Sequence, residues 1–502
     1  MRSHPILCGS SSSKSLFGSQ RRCWDLPKLL LGWLLQDFFS SSSFSYMDNQ
    51  AFELHGESFP PGKEGPKKEA KKSNRSLMKI FLACLLACGI TTVLGVLTLA
   101  LVSNDASKRD PDGGNVGMSP SPSHGRRLDV KFQFLNHLKK SKVYTYPGGQ
   151  IQWARFRKEL LDYGSEEEVE FGRSLNIHRS QMTFGTLRIK SKGLRAPHWH
   201  FNANEHGYLQ QGSAWVGVMG ADDNVVTTYN VTAGQVVFFP RNTIHWLKNV
   251  GEEDCVFLLF FSTHEELQTL DMDDVFFWTP EDVAARALKP PGGVNFIRTF
   301  QKQAEDQAIN LPPNLEDLVQ NATYGQSPDH LVWRYFYNLK GSAEDPFPGG
   351  SFQWARYRRD ATSLNGNEKI FSESLHKHEN TLTLATLRIR SNSLGQPHFH
   401  FNAHEMGYVL SGCGQVGVVL SGTSINFNID IGDVIFFPVG SQHYIKSVCE
   451  EELLLLLAYS TGNQLETLRM SSYFQGTADH ILAQLFFKAQ AEIKMFSRTS
   501  QP

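Results

Sequence analysis

Three regimes of hydrophobic and polar order follow one another along the chain. Residues 1–46 are serine-rich around a short apolar run at 29–35, with no sustained periodicity. Residues 80–102, IFLACLLACGITTVLGVLTLALV, are then 23 positions without a charge. Beyond residue 128 the pattern breaks into short alternating or apolar runs: TFGTLRIKSK from Thr183, WVGVMG from Trp215, GQVVFFP from Gly234 and CVFLLFF from Cys255. Gly, Pro and Asn bound them, which predicts strands and turns. Helix-like segments close each half, PEDVAARAL from Pro280 and ADHILAQLFF from Ala478. Many short strands with turn signals predict sandwiches or closed barrels.

The uncharged run is long enough to cross a bilayer, because 23 residues make a helix of about 34 Å. Lys63, Lys67, Lys68, Lys71, Lys72, Arg75 and Lys79 precede it. Only Lys108 and Arg109 follow closely, among Asp105, Asp110 and Asp112. The positive-inside rule then places residues 1–79 in the cytosol as a disordered tail, with 80–102 as a signal-anchor. Residues 103–127, rich in Gly, Pro and Ser, read as a stalk, and Arg126-Arg127 offers a dibasic site where the body could be shed. Met47 opens a more plausible cytosolic tail than Met1 and is a candidate start. The expectation is a single-pass type II membrane protein with its body extracellular or lumenal. Two sequons, Asn230-Val-Thr and Asn321-Ala-Thr, fit that side as glycosylation acceptors.

An internal repeat fills the body. PGGQIQWARFR at 147–157 returns as PGGSFQWARYR at 348–358, and GQVVFFPRNTIH at 234–245 returns as GDVIFFPVGSQH at 432–443. FSTHEELQTLDM at 261–272 returns as YSTGNQLETLRM at 459–470. Preserved order at a spacing near 200 residues means a duplicated domain rather than a short-period solenoid. We divide the body into residues 128–310 and 311–502, two β-barrels in tandem.

Composition changes this picture little. A formal net charge of −1 gives no bulk argument for nucleic acid, and 40% hydrophobic residues are ordinary for a globular chain. Of seven cysteines, Cys84 and Cys88 lie in the uncharged run, while Cys255, Cys413 and Cys449 lie in the body. That odd number leaves at least one without an intrachain partner, and the sequence does not say which.

The repeat carries chemistry. APHWHFNANEHGY, from Ala196, and QPHFHFNAHEMGY, from Gln396, each hold two histidines one residue apart and a glutamate five positions on. Residues i and i+2 of a strand share a face, so His198 and His200 point together, as do His398 and His400. Glu205 and Glu405 follow a turn, and His245 and His443 come from a later strand just after FFP. Three imidazoles and one carboxylate make a nitrogen and oxygen donor set without thiolate, suited to Mn, Fe, Ni, Cu or Zn. A lone histidine on a strand is commonly a core residue; four ligand types at matched places in two copies point to metal.

The pattern HxHx4E, followed by Gly-x5-Pro-x-(Gly/Asn)-x2-His, resembles the two cupin motifs, and its duplication resembles the bicupins, oxalate decarboxylase above all. The resemblance spans roughly residues 130–490 and implies an all-β fold of two tandem cupin (double-stranded β-helix, jelly-roll) barrels with short flanking helices. It also implies Mn²⁺ in both barrels, dioxygen as a co-reactant without net consumption, oxalate as substrate, and assembly into trimers or hexamers. Carried over residue by residue, it implies that Arg195, three positions before His198, binds a substrate carboxylate, and that Glu266 on a lid loop is the catalytic proton carrier. The second copy has Gly395 and Gln464 at those positions, so catalysis is expected mainly in the first barrel. The lid reads Glu265-Glu266-Leu267-Gln268-Thr269 against the family pattern Ser-Glu-Asn-Ser-Thr: the catalytic letter survives, but its immediate neighbours differ. Oxalate oxidase, another metal-dependent cupin dioxygenase, or a non-catalytic metal-binding bicupin of the seed-storage kind are therefore alternatives.

Overall fold

The computed structural model describes residues 128–496, apart from 221–224, 304–307, 361 and 363. The expected tail, anchor and stalk lie outside the described residues, and so do 497–502. Among the described residues no helix is long and apolar enough to cross a membrane.

The described body is mostly β. Its first half supplies β1 (Leu135–His137), β2 (Val143–Tyr146), β3 (Gly149–Ala154), β4 (Thr183–Ile189), β5 (Leu194–His200) and β6 (Glu205–Gln211). There follow β7 (Ser213–Met219), β8 (Val226–Thr232), β9 (Val236–Phe239), β10 (Ile244–Asn249), β11 (Cys255–Phe261), β12 (Thr269–Asp271) and β13 (Ile309–Asn310). The second half begins with β14 (Phe336–Tyr337), β15 (Asp345–Phe347), β16 (Gly350–Ala355), β17 (Thr383–Ile389), β18 (Leu394–His400) and β19 (Glu405–Ser411). It ends with β20 (Gly414–Leu420), β21 (Thr423–Ile429), β22 (Asp433–Phe437), β23 (Gln442–Ser447), β24 (Leu453–Tyr459) and β25 (Thr467–Arg469). The helical segments read after Pro280 and Ala478 form as Glu281–Leu288 and Asp479–Phe486.

Each half folds as two facing sheets. In the first, β14-β9-β6-β11-β4-β3-β2 packs over β12-β5-β10-β7-β8, with β13 added to β5; in the second, β1-β22-β19-β24-β17-β16-β15 packs over β21-β20-β23-β18-β25. The halves exchange strands. β1, from the start of the first half, pairs with β22 of the second, and β14, from the start of the second, pairs with β9 of the first. β22 and β9 are thereby covered by strands of only three and two residues, which leaves a short edge at that end of each sheet. His137 Nδ1 donates to Asp433 Oδ1 at 2.8 Å and fastens the first exchange.

Three large hydrophobic cores result, beside a small cluster of Ala284, Ala285 and Ile297. One fills each barrel, around Phe239, Phe257 and Phe261 in the first and Phe437, Leu455 and Leu457 in the second. A third lies between them, built from Phe184, Phe238, Leu258 and Phe260 against Leu384, Met406, Phe436 and Leu456. This explains why CVFLLFF and LLLLLAY are continuous runs rather than alternating ones. β11 is buried throughout, with Phe257, Leu259 and Phe261 inside the barrel and Leu258 and Phe260 in the shared core. Two helices of the same register, Glu166–Ile177 and Gly366–Lys377, add Phe171, Leu175, Phe371 and Leu375 to that shared core.

Candidate metal centres

The alternation of β5 aims His198 and His200 into the first barrel, β10 brings His245 directly opposite His198, and Glu205 opens β6. The ligand atoms of these four all lie within 4.8 Å of one another; His398, His400, Glu405 and His443 repeat the arrangement. Aromatic rings wall both sites. Phe239 stacks on His245 at 4.2 Å and Phe437 on His443 at 4.1 Å, while Phe261 and Tyr459 meet His200 and His400 edge-on.

The outer nitrogens decide which tautomer is present. His198 Nδ1 lies 2.8 Å from the Ala196 carbonyl and His245 Nδ1 2.9 Å from that of Thr243; a carbonyl only accepts, so both Nδ1 atoms carry hydrogen. His200 Nδ1 sits 2.9 Å from Thr269 Oγ1. The same set recurs with Gln396, Ser441 and Thr467 as partners of His398, His443 and His400. Every Nε2 therefore turns inward. Burial pushes His198 well below the ordinary imidazole range, lowers His200, and takes His398 down to about 3, which favours the neutral form of these three rings.

A ring that carries its one hydrogen on Nδ1 presents a lone pair at Nε2, and the threonine hydroxyls beside His200 and His400 can accept from Nδ1 in the same way. Yet His200 and His245 Nε2 lie 2.9 and 3.1 Å from Glu205 Oε2, and the corresponding distances to Glu405 are 2.9 and 3.2 Å. Acceptors crowded in this way call for a shared cation. Cis ligands of an octahedral ion at about 2.1 Å stand about 3 Å apart, which is the spacing found. The donor set fits a divalent ion such as Mn²⁺ at both places. The outer hydrogen bonds that orient the rings, Thr269 and Thr467 included, complete each site. Those two threonines close the repeated motifs at 261–272 and 459–470, so the repeat itself could have flagged them.

The two copies differ at their rims. A β-bulge in β5 sets Arg195 opposite Leu247 while His198 stays opposite His245, which turns the guanidinium to the ligand face. Arg195 Nη1 donates to Asp271 Oδ1 at 2.6 Å and to the Ala308 carbonyl at 3.1 Å, and it makes no other hydrogen bond among the described residues. Asp271 lies directly opposite His198 on β12. In the second copy the same bulge carries Gly395, and Arg469 occupies the place of Asp271, opposite His398. The difference between LDM and LRM in the repeat was the signal for that exchange. The first site is the more closed: His198 is 3% exposed, whereas His398 is only part-buried.

Glu266 is not gathered with the ligands. Its Oε1 accepts from the Lys158 backbone N–H at 3.0 Å, with Arg157 Nε at 3.9 Å and Lys158 Nζ at 4.0 Å from the carboxylate. Asn202, two residues beyond His200, clasps the loop by donating to the Glu266 carbonyl at 2.9 Å and accepting from Gln268 N–H at 3.0 Å. Asn402 holds the second loop in the same way through the Gln464 carbonyl and the Glu466 N–H.

Comparison with known proteins agrees with this geometry. The cupin family profile matches residues 169–290 and 363–494, and a profile of the CLLAC-motif containing domain matches residues 74–103. Oxalate decarboxylase OxdC of Bacillus subtilis is 26% identical over 354 residues, 70% of this chain and 80% of its own length. An oxalate decarboxylase of Arthroderma benhamiae is 24% identical over 395 residues, 74% of this chain and 82% of its own. In three dimensions, the formate complex of Lactobacillus farciminis oxalate decarboxylase superposes with a TM-score of 0.57 at 17% identity, covering 77% of this chain and 98% of that one. With two cupin domains in tandem, each holding a three-histidine, one-glutamate cluster, the chain belongs to the cupin family as a bicupin of the kind found among oxalate decarboxylases.

Proposed function

We propose that the protein is a manganese-dependent carbon–carbon lyase that converts oxalate to formate and carbon dioxide, mainly at the first centre. The observation that carries this reading is the asymmetry of the rims: Arg195 stands beside the first cluster and Glu266 on the adjoining loop, and the second copy has Gly395 and Gln464 instead. The named relatives are oxalate decarboxylases, which supports the substrate class.

A bound Mn²⁺, with dioxygen as a co-reactant not consumed overall, supplies Lewis acidity and one-electron chemistry at the four ligands. The remaining work falls to side chains of this chain. The planar guanidinium of Arg195 orients one substrate carboxylate, exchanging part of its contact with Asp271 for the incoming anion. Glu266, released from the Lys158 N–H, takes the proton of hydrogen oxalate and later delivers it to the carbon that becomes formate. The C–C bond breaks, its electron pair stays on that carbon, and HC2O4⁻ becomes HCO2⁻ and CO2 with no net redox change. The loop over the site excludes water while this happens. Oxalate oxidation to peroxide is the second reading. The docking of Glu266 on residues 157–158 favours it, because a carboxylate held there returns no proton to carbon.

The body is further proposed to lie outside the cell or in a lumen, tethered through residues 80–102 and assembled as a homo-oligomer. Asn230 and Asn321 are exposed, as glycan acceptors need to be, and Cys413 and Cys449 form a disulfide, as oxidising compartments allow. The test is a product assay on Mn²⁺-loaded protein given oxalate under air. Formate equal to the oxalate consumed supports the lyase, stoichiometric peroxide the oxidase, and no turnover at full metal loading the non-catalytic alternative.

A further inference from the structure

The second centre differs from the first in a way that loss of activity alone does not explain. Where Arg195 and Asp271 close the first rim, the second has a glycine and an arginine. A Cβ built on Gly395 would meet only the Ile445 carbonyl at 3.6 Å and Ile389 Cδ1 at 3.9 Å, which is ordinary contact distance, so a side chain fits there and none is present. The two centres also differ in burial: His398 is part-buried, while its counterpart His198 is shut in.

Arg469 roots on the same face as His398. Directly paired residues of antiparallel neighbours share a face, and Arg469 pairs with His398. Two positions earlier on the same strand and face, Thr467 Oγ1 meets His400 Nδ1 at 2.9 Å. In the first copy the residue at this place, Asp271, reaches the inward guanidinium of Arg195. Arg469 is exposed, and no hydrogen bond or ion pair engages its guanidinium among the described residues.

We propose that the second centre is a carboxylate-binding site in its own right, entered through the gap at Gly395, charged by Arg469, and able to admit acids bulkier than oxalate. The proposal rests on the metal reading of the second cluster and not on the reaction assigned to the first. A cation at His398, His400, Glu405 and His443 supplies one attraction for the anion. Arg469 supplies the other from the opposite strand, doing from β25 what Arg195 does from β5.

Malonate, one methylene longer than oxalate, is the probe, titrated calorimetrically into the Mn²⁺-loaded full chain. Saturable binding is expected in the unaltered protein and in Glu205→Ala, and none in Glu405→Ala. Arg469→Asp, which installs the first copy's residue at an exposed position, should weaken it about tenfold or more. A second readout is metal release to a chelator, expected to show one fast and one slow ion, with Gly395→Leu slowing the fast one. The proposal is overturned by absence of malonate binding, by binding that vanishes with Glu205→Ala instead, by affinity unchanged in Arg469→Asp, or by release that Gly395→Leu leaves as it was. None of these readouts depends on oxalate turnover, so failure of the lyase reading remains distinguishable.

Discussion

Arg195 and Asp271 form a buried ion pair, Nη1 to Oδ1 at 2.6 Å, on the rim of the first metal centre. Removing one partner of such a pair strands the other charge in a poorly solvated place. Asp271→Ala should therefore destabilise the fold by about 3 kcal/mol, read as a lower urea midpoint at unchanged slope. Arg195→Gly, which copies the second centre, should raise the KM for oxalate at least tenfold with a smaller change in kcat. An unchanged KM would remove Arg195 from substrate binding.

Glu266 rests on the Lys158 N–H, and Gln464 replaces it in the second copy. A glutamine keeps the shape and still hydrogen-bonds but accepts no proton near neutrality. Glu266→Gln should cut formate production at least a hundredfold while metal analysis still finds the ion in place. If Gln464→Ala is as damaging, the proposed division of labour between the barrels is wrong.

His206 lies in the shared core and accepts the Leu382 N–H at Nε2, 3.1 Å away, joining the two halves. Burial takes it down to about 3, so between that value and pH 6.5 the unfolded chain binds a proton the folded one refuses. Its contribution is complete above pH 6.5 and declines as the pH falls toward 3, by about 1.4 kcal/mol per unit at most. Thermal unfolding should thus occur at clearly lower temperature at pH 4.5 than at pH 7. His206→Met, the residue found at Met406, should flatten that dependence, and it should cost about 1–3 kcal/mol at pH 7 through the orphaned N–H.

Cys413 and Cys449 are bonded, with Cα atoms 5.6 Å apart, and Cys255 is the free, buried thiol among the described residues. Burial pushes the Cys255 thiol up to about 12, and its Sγ donates to the Ser213 carbonyl at 2.9 Å. In native protein Cys255 should not react with a thiol reagent over hours, and should react at once in denaturant. Cys413→Ser with Cys449→Ser should lower stability by about 2–4 kcal/mol by freeing the loop between them.

How much of this was legible beforehand follows the range of the interactions involved. Period-two alternation put His198 beside His200 and His398 beside His400, because strand geometry is local. The offset between copies brought His245 and His443 into the same clusters, because two equal patterns imply two equal folds. The exchange of β1 and β14 left no such mark: three residues and two residues pair with strands of the other half, and nothing periodic in LNH or FY announces a distant edge. The CVFLLFF run read as a strand, but only the packed pair of barrels gives its outward side chains a core to enter.

The sequence by itself determined the duplicated β architecture, the eight ligands and the break in symmetry at Arg195 and Glu266, since each is written in spacing or in a mismatch between repeats. Tertiary structure alone decided what those residues touch. It paired Arg195 with Asp271, docked Glu266 on Lys158 rather than over the ligands, and bonded Cys413 to Cys449 instead of Cys255. Each outcome depends on which strands become neighbours and in what register. That choice is made by burying the whole apolar surface at once, and no local stretch of residues records it.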